Sequence, residues 1–213
     1  MMTLYDYLPS QNAYKVRLLL SHLEVPFRTE IVSIFEVAGR TDAYLAINPM
    51  GVVPALKLDD GRIIAESNAI LTYLSHGTHY LPEAPYAAAK VHQWLSFERS
   101  YVSPSLATLR YWCLTGKLDR QPSIVIEEKR ALGSKVLGVL DRELNNYRFL
   151  VGDTYTIADM SVFAYTHLAD EAGFLLNSYE ALCGWIERVR GQEGFLPTVH
   201  PYSIDPHSRR DLP

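Results

Sequence analysis

The sequence predicts an α/β unit followed by an all-helical one. Three observations carry this expectation. Strand-like runs are concentrated before Glu66. The turn Asp59-Asp60-Gly61 sits between two such runs and signals a hairpin. Beyond Tyr86, apolar residues recur at helical spacing and strand signals nearly vanish.

The elements follow in order. Thr3 to Tyr7 is a short strand, broken by Leu8-Pro9. Ser10-Gln11-Asn12 precede a helix with an apolar stripe at Ala13, Val16, Leu20 and Leu23, and Lys15 and Arg17 lie off that stripe. Val25-Pro26 ends the helix, because a residue before Pro is pushed out of the α region. Phe27 to Val32 alternates with Arg28 and Glu30 and forms a second strand. Two strands joined through a helix by short connections make a parallel pair with a right-handed crossover. Ser33 to Gly39 is loop, and Thr41 to Ile47 is a short irregular helix stopped by Asn48-Pro49.

The stretch Asn48 to Ser67 organises the rest. A turn at Asn48-Pro49-Met50-Gly51 leads into Val52-Val53-Pro54. Proline cannot donate to a strand ladder, so Pro54 suits a tight entry to a strand, for which a cis bond is one solution. The runs 55–58 and 62–65 form the hairpin, and Glu66-Ser67 opens a helix with Ile70, Leu71 and Leu74 at helical spacing. The first unit is thus β-α-β, a connector, then β-β-α. If Pro54 interrupts the ladder, the N–H and C=O of Val53 are free to pair with something extended. The first N–H groups of the helix at Ser67 can hold an anion. A strand-like edge beside an anion hole suits a short peptide with a terminal carboxylate.

Tyr80 to Tyr86, with Pro82 and Pro85, is the expected linker, giving units 1–79 and 87–213 around 80–86. Helices are expected over 87–112 with a kink at Pro104, then 123–146, 158–172 and 178–189. The tail from Thr198 is expected to be extended or disordered.

Composition bounds the partners. The 213 residues are 48% hydrophobic and 21% charged, ordinary for a soluble globular protein. A net charge of -4 with scattered basic residues gives no reason to expect nucleic acid or an anionic membrane. No apolar run approaches a membrane span, and Met1 to Asp6 shows no secretory signal, so the cytoplasm is the expected location. Cys113 and Cys183 lie in no CxxC spacing and the His residues in no HExxH, so no metal is expected.

The motifs resemble the soluble glutathione transferases across nearly the whole chain. Ser10-Gln11-Asn12-Ala13-Tyr14-Lys15-Val16-Arg17 is similar to the active-site turn and first helix of the serine-type classes, such as theta and many bacterial members. Asn48 to Leu56 is similar to the family's turn and cis-proline strand, and Glu66-Ser67-Asn68-Ala69-Ile70 to its glutamyl-binding stretch. Residues 93–98 with 107–112 resemble the first long helix of the second domain, and 155–159 a buried cap in it. Five matches in order at family-like spacing are far more specific than any one. The resemblance implies a thioredoxin-like N-terminal domain, an all-α C-terminal domain, glutathione as co-substrate and a homodimer. The departure is Val52, where many members carry a Lys that contacts glutathione.

Each residue has a structural and a functional reading. Ser10 is an N-cap by position, and by resemblance it donates to the glutathione sulfur. Asn12 is a turn residue or a second donor. Glu66 and Ser67 are a helix start, or hold the γ-glutamyl ammonium and carboxylate. Val53 beside Pro54 would pair with the cysteinyl backbone. Arg40 is a solvated loop residue or a partner for the glycyl carboxylate. Tyr5 and Tyr7 are core or wall residues; neither aligns with the catalytic tyrosine of other classes. Tyr7, Leu8, Tyr101, Tyr111 and Trp112 are candidates to line an apolar acceptor pocket, although aromatics at helical spacing are more often core. Thr156-x-x-Asp159 has capping-box spacing, which assigns Asp159 to folding rather than chemistry.

The resulting expectation is an enzyme that joins the glutathione thiolate to a small hydrophobic electrophile. Glutathione-dependent reduction of peroxides or disulfides is a second reading. It would require two glutathione molecules, since the first unit has no cysteine. A non-catalytic interaction module of the same fold is the third.

Overall fold

Alternation along β1 (Thr3–Asp6) divides the first unit into two cores. Leu4 packs with Val16, Leu20, Leu56, Leu58 and Ile70, whereas Tyr5 packs with Val32, Tyr44 and Ala55. The first core is closed by α1 (Gln11–His22) and α3 (Ser67–Ser75). The second is closed by the short α2 (Asp42–Leu45), which Thr41 caps. Between them lies a four-stranded sheet in the order β2-β1-β3-β4, with β2 at Arg28–Ile31, β3 at Ala55–Lys57 and β4 at Ile63–Ala65. β1 runs parallel to β2 and antiparallel to β3, and β3 antiparallel to β4. This is the expected β-α-β/β-β-α thioredoxin-like arrangement. The edge strand β2 is exposed along its length and carries Arg28 and Glu30, charges that discourage pairing with another edge.

The structure is a computed structural model that describes residues 1–35, 38–210 and 212. Glu36 and Val37 of the expected loop, and Asp211 and Pro213 of the tail, lie outside the described residues. The chain divides into two compact units, 1–76 with 193–212, and 77–192.

The tail corrects the sequence expectation. From Tyr202 its described residues turn rather than run extended, and it groups with the first unit rather than with the helices. Short 3-10 turns form at Tyr202–Ile204 and Pro206–Arg210. The Tyr14 hydroxyl donates to the Leu196 carbonyl at 2.7 Å, and the Ser33 hydroxyl to Asp205 Oδ2 at 2.5 Å. Tyr202 stacks on Tyr7 with ring centroids 6.3 Å apart.

The helical unit opens with α4 (Pro85–Phe97), so the last two residues of the expected linker are already helix, with Pro at a position where its missing N–H costs nothing. Tyr80 accepts from the Ile157 amide at 3.0 Å and belongs to this unit. From Glu98 to Ala107 the helix widens to π geometry around Pro104, then tightens into α5 (Thr108–Leu114). A proline inside a helix removes one amide and collides with the preceding turn, and widening relieves both. α6 (Ser123–Leu144) and α8 (Glu180–Arg190) complete the bundle around α7 (Ile157–Thr166), in which every residue except Tyr165 is buried. Gly133 is required where α6 meets Phe174: a Cβ there would lie 2.3 Å from the ring. Both cysteines are free, and no described helix is long and apolar enough to cross a membrane.

Candidate functional site

The sheet register gathers the candidate residues of the first unit. Tyr5 pairs with Ala55, and Ala55 with Ala65. The turn after β1, the entry to β3 and the exit from β4 therefore leave the same end of the sheet. Those three segments carry Ser10 with Asn12, Val53 with Pro54, and Glu66 with Ser67.

Ser10 performs the capping role and keeps a proton to give. Its backbone is pinned, with its amide donating to the Tyr7 carbonyl at 2.7 Å and its carbonyl accepting from the Tyr14 amide at 2.9 Å. Its Oγ accepts from the Ala13 amide at 3.3 Å. A hydroxyl that accepts as a cap still holds its own O–H, and no described residue receives it. Asn12 lies in the same first turn, half-buried, with Oδ1 accepting from Lys15 Nζ at 3.0 Å. The turn is braced from below by Arg17, which bonds Asp6 and the Leu8 carbonyl. Gln11 is 1% exposed, and neither of its amide atoms has a partner.

The entry to β3 is built to present one residue. Asn48 Nδ2 and the Tyr44 hydroxyl both donate to the Val52 carbonyl, at 2.6 and 2.8 Å. Burial pushes the Tyr44 phenol up to about 12, so it stays a donor. The Val53–Pro54 bond is cis and the Pro54 ring is buried. The Val53 side chain packs into the second core, while its backbone N–H and C=O have no partner among the described residues. Gly51, at φ +65, lets this turn meet the segment Ala38–Arg40: a Cβ on it would sit 2.5 Å from the Gly39 carbonyl oxygen. Arg40 ends that segment and is exposed, and Val52 is exposed with no cation at its position.

Glu66 carries the one clear strain in this region. It is exposed and holds φ 69 and ψ 115, a conformation that L-residues rarely adopt, and its side chain makes no capping bond. The first turn of α3, led by half-buried Ser67, is therefore left uncapped by the residue before it. That arrangement offers N–H donors to an anion and a carboxylate to a cation.

Beside the first turn lies a cavity of about 270 Å³, lined by Tyr7, Leu8, Pro9, Ile31, Ser33, Ala38 and the tail residues Ile204 to His207. Tyr7 itself is 2% exposed and Tyr5 7%, so both are core residues, Tyr7 forming the cavity floor. Asp205 and the other tail residues were missed in the sequence, as were the roles of Lys15 and Arg17. No local spacing ties Ser33 to a residue 172 positions later. Tyr101, Tyr111 and Trp112 lie in the helical unit. Tyr101 is 48% exposed. Tyr111 accepts from Lys117, which also sits 5.0 Å over its ring, and Lys129 sits 5.5 Å over Trp112. Tyr101 itself packs on Phe97 with ring centroids 5.3 Å apart, so all three aromatics have structural partners. Among the described residues no cluster of His, Cys, Asp and Glu could hold a metal ion.

Comparison with known proteins agrees with this fold. The family pattern "Glutathione S-transferase, N-terminal domain" matches residues 9–76, and "Glutathione S-transferase, C-terminal domain" matches 100–193. A glutathione S-transferase structure from Pseudomonas fluorescens is 37% identical with a TM-score of 0.87, over 92% of this chain and 98% of that one. Another, from Xanthobacter autotrophicus, is 34% identical with a TM-score of 0.89, over 96% and 99%. Elongation factor 1-gamma of Danio rerio is 34% identical over 75% of this chain, which spans 36% of that protein's length. Two domain patterns in order and near-complete overlap with such relatives establish that the chain belongs to the glutathione S-transferase family.

Proposed function

We propose that this glutathione S-transferase is a serine-type, theta-like enzyme that conjugates the thiolate of glutathione to a small apolar electrophile. One observation carries the reading: the Tyr5–Ala55–Ala65 register brings three candidate segments to one end of the sheet, beside the unpaired backbone of Val53. Glutathione, the co-substrate, lies along that backbone as an added strand. Glu66 takes its ammonium, and Ser67 with the first turn of α3 its γ-glutamyl carboxylate. Arg40 is the cation available to the glycyl carboxylate.

The chemistry is ionisation followed by proximity. A thiol with pKa of about 8.5 is a few per cent thiolate at neutral pH, and lowering it by two units takes roughly 2.7 kcal/mol. A hydrogen bond from Ser10 to the anion and the dipole of α1 supply that order. The thiol proton leaves to solvent, and the sulfur attacks an electrophilic carbon held in the cavity beside Tyr7 and Leu8, expelling its leaving group or adding across its double bond. The product is a thioether. Cytoplasmic location and a homodimer are part of the proposal, as is usual for the family.

A second reading is a non-catalytic module, favoured by the likeness to elongation factor 1-gamma. One experiment separates the alternatives. The protein is passed over immobilised glutathione, then assayed with activated aryl halides and, in parallel, with peroxides, beside Ser10→Ala. The expected result is retention, thioether formation, and at least a tenfold loss in the variant, equivalent to about 1.4 kcal/mol. No retention and no turnover would favour the module. Peroxide turnover alone would favour reduction by two glutathione molecules. An active Ser10→Ala would remove Ser10 from the chemistry.

A further inference from the structure

Lys15 lies one turn beyond Asn12 on α1 and is 1% exposed. The core does not need it: Val16 and Leu20 already supply the apolar side of the helix. Its Nζ donates to Asn12 Oδ1 at 3.0 Å. An ammonium only donates, and a side-chain amide offers one oxygen and one NH2 group. This bond therefore decides which way the Asn12 amide faces. Oδ1 is turned to Lys15, and Nδ2–H is turned away with no described residue to receive it. A cation on the oxygen also polarises the amide and makes its N–H a better donor. Asn12 is two residues after Ser10, in the first turn of the same helix.

We propose that Lys15 is a positioning residue for glutathione activation. Through Asn12 it aims an amide N–H, backed by positive charge, at the sulfur held beside Ser10. The proposal rests on the reading of the Ser10–Asn12 turn as the thiolate site. Lys15 itself touches neither substrate. Its effect is on the ionisation of bound glutathione, not on the grip of the enzyme on the rest of the tripeptide.

The test is the pH titration of the ultraviolet thiolate absorbance of the enzyme–glutathione complex. It is run on wild type, Lys15→Met, Asn12→Ala, the double variant and Asn12→Asp, with the melting temperature of each. Lys15→Met is expected to raise the thiol pKa by about one unit, a tenfold change in the ionisation constant, with KM for glutathione within about twofold. Asn12→Ala should do the same, and the double variant should add nothing to Asn12→Ala. Asn12→Asp keeps the bond to Lys15 but turns an oxygen to the sulfur. It should raise the pKa more than Asn12→Ala, and it supplies the answer should Lys15→Met fail to fold. A folded Lys15→Met with the wild-type pKa, additive shifts in the double variant, or an unchanged pKa in Asn12→Asp would overturn the proposal while the wild-type complex still shows a lowered thiol pKa. A wild-type complex with no lowered thiol pKa would sink both this proposal and the thiolate reading on which it rests.

Discussion

Arg17 Nη1 lies 2.5 Å from Asp6 Oδ1, with the two side chains 9% and 0% exposed. The same guanidinium donates through Nη2 to the Leu8 carbonyl at 2.8 Å. One residue of α1 thus ties the end of β1 to the turn that carries Ser10. Asp6 Oδ2 has no partner, so the carboxylate depends on this cation. Removing one member of a buried pair costs about 3–5 kcal/mol. Arg17→Met is expected to lose that much stability in denaturant titration. Arg17→Lys, a point charge without the planar fork, should fall between Arg17→Met and wild type. A loss below about 1 kcal/mol in Arg17→Met would show that the pair does not brace the turn.

Glu66 predicts two effects of opposite sign. Its φ of 69 and ψ of 115 cost on the order of 1–3 kcal/mol, and glycine escapes most of that. Glu66→Gly is therefore expected to melt higher than wild type. The same change deletes the carboxylate proposed for the glutathione ammonium, so KM for glutathione should rise tenfold or more, about 1.4 kcal/mol. A variant that melts lower, or that keeps its KM, would show that the strained backbone is not retained for binding.

Asp159 and His167 set opposing acid responses in the helical unit. The Asp159 carboxylate accepts from the Leu150 and Thr156 amides, the Thr156 hydroxyl and Trp185 Nε1. Complete burial still raises its pKa to about 6, desolvation outweighing those donors. Its protonated form is favoured by the fold, so this group adds stability as pH falls from about 6 towards the ordinary value of 3.8. Burial lowers His167 to about 4, against the opposing pull of the Phe163 carbonyl, which Nδ1 meets at 2.7 Å. The stability contributed by neutral His167 is fully present above 6.5 and is lost as pH falls towards 4. The two effects oppose each other over the same pH range. Relative to wild type, His167→Gln should gain stability between pH 7 and 4, and Asp159→Asn should lose it. Unfolding curves at pH 7, 5.5 and 4 read both directly. Parallel pH profiles for all three proteins would show that these groups titrate alike in the folded and unfolded states.

Much of this fold was legible because its signals are local. Asp59-Asp60-Gly61 made its hairpin turn, and the capping box of Thr156 and Asp159 formed as its spacing required. The candidate site was half legible. Ser10, Asn12, Val53, Pro54, Glu66 and Ser67 could be named from motifs, whereas Lys15 and Arg17 read as an outer face because they lie off the apolar stripe. The structure buries both, since their partners come from the turn and the strand end rather than from the helix stripe. The π segment around Pro104 was foreseen only as a kink, because a one-dimensional pattern shows a missing amide and not how the helix absorbs it.

By itself, the sequence determined the order of strands and helices, the interrupted ladder at Pro54 and the helix starts at Ser10 and Ser67. These depend on backbone preferences within a few residues. The tertiary structure alone decided that three separated segments meet at one end of the sheet, that a buried lysine turns the Asn12 amide, and that the tail walls the cavity with Asp205 bonded to Ser33. The first and last of those relations join residues far apart in the chain, while Lys15 and Asn12 are neighbours on one helix whose burial is set by what packs around it; packing and the pairing of buried polar groups decide all three.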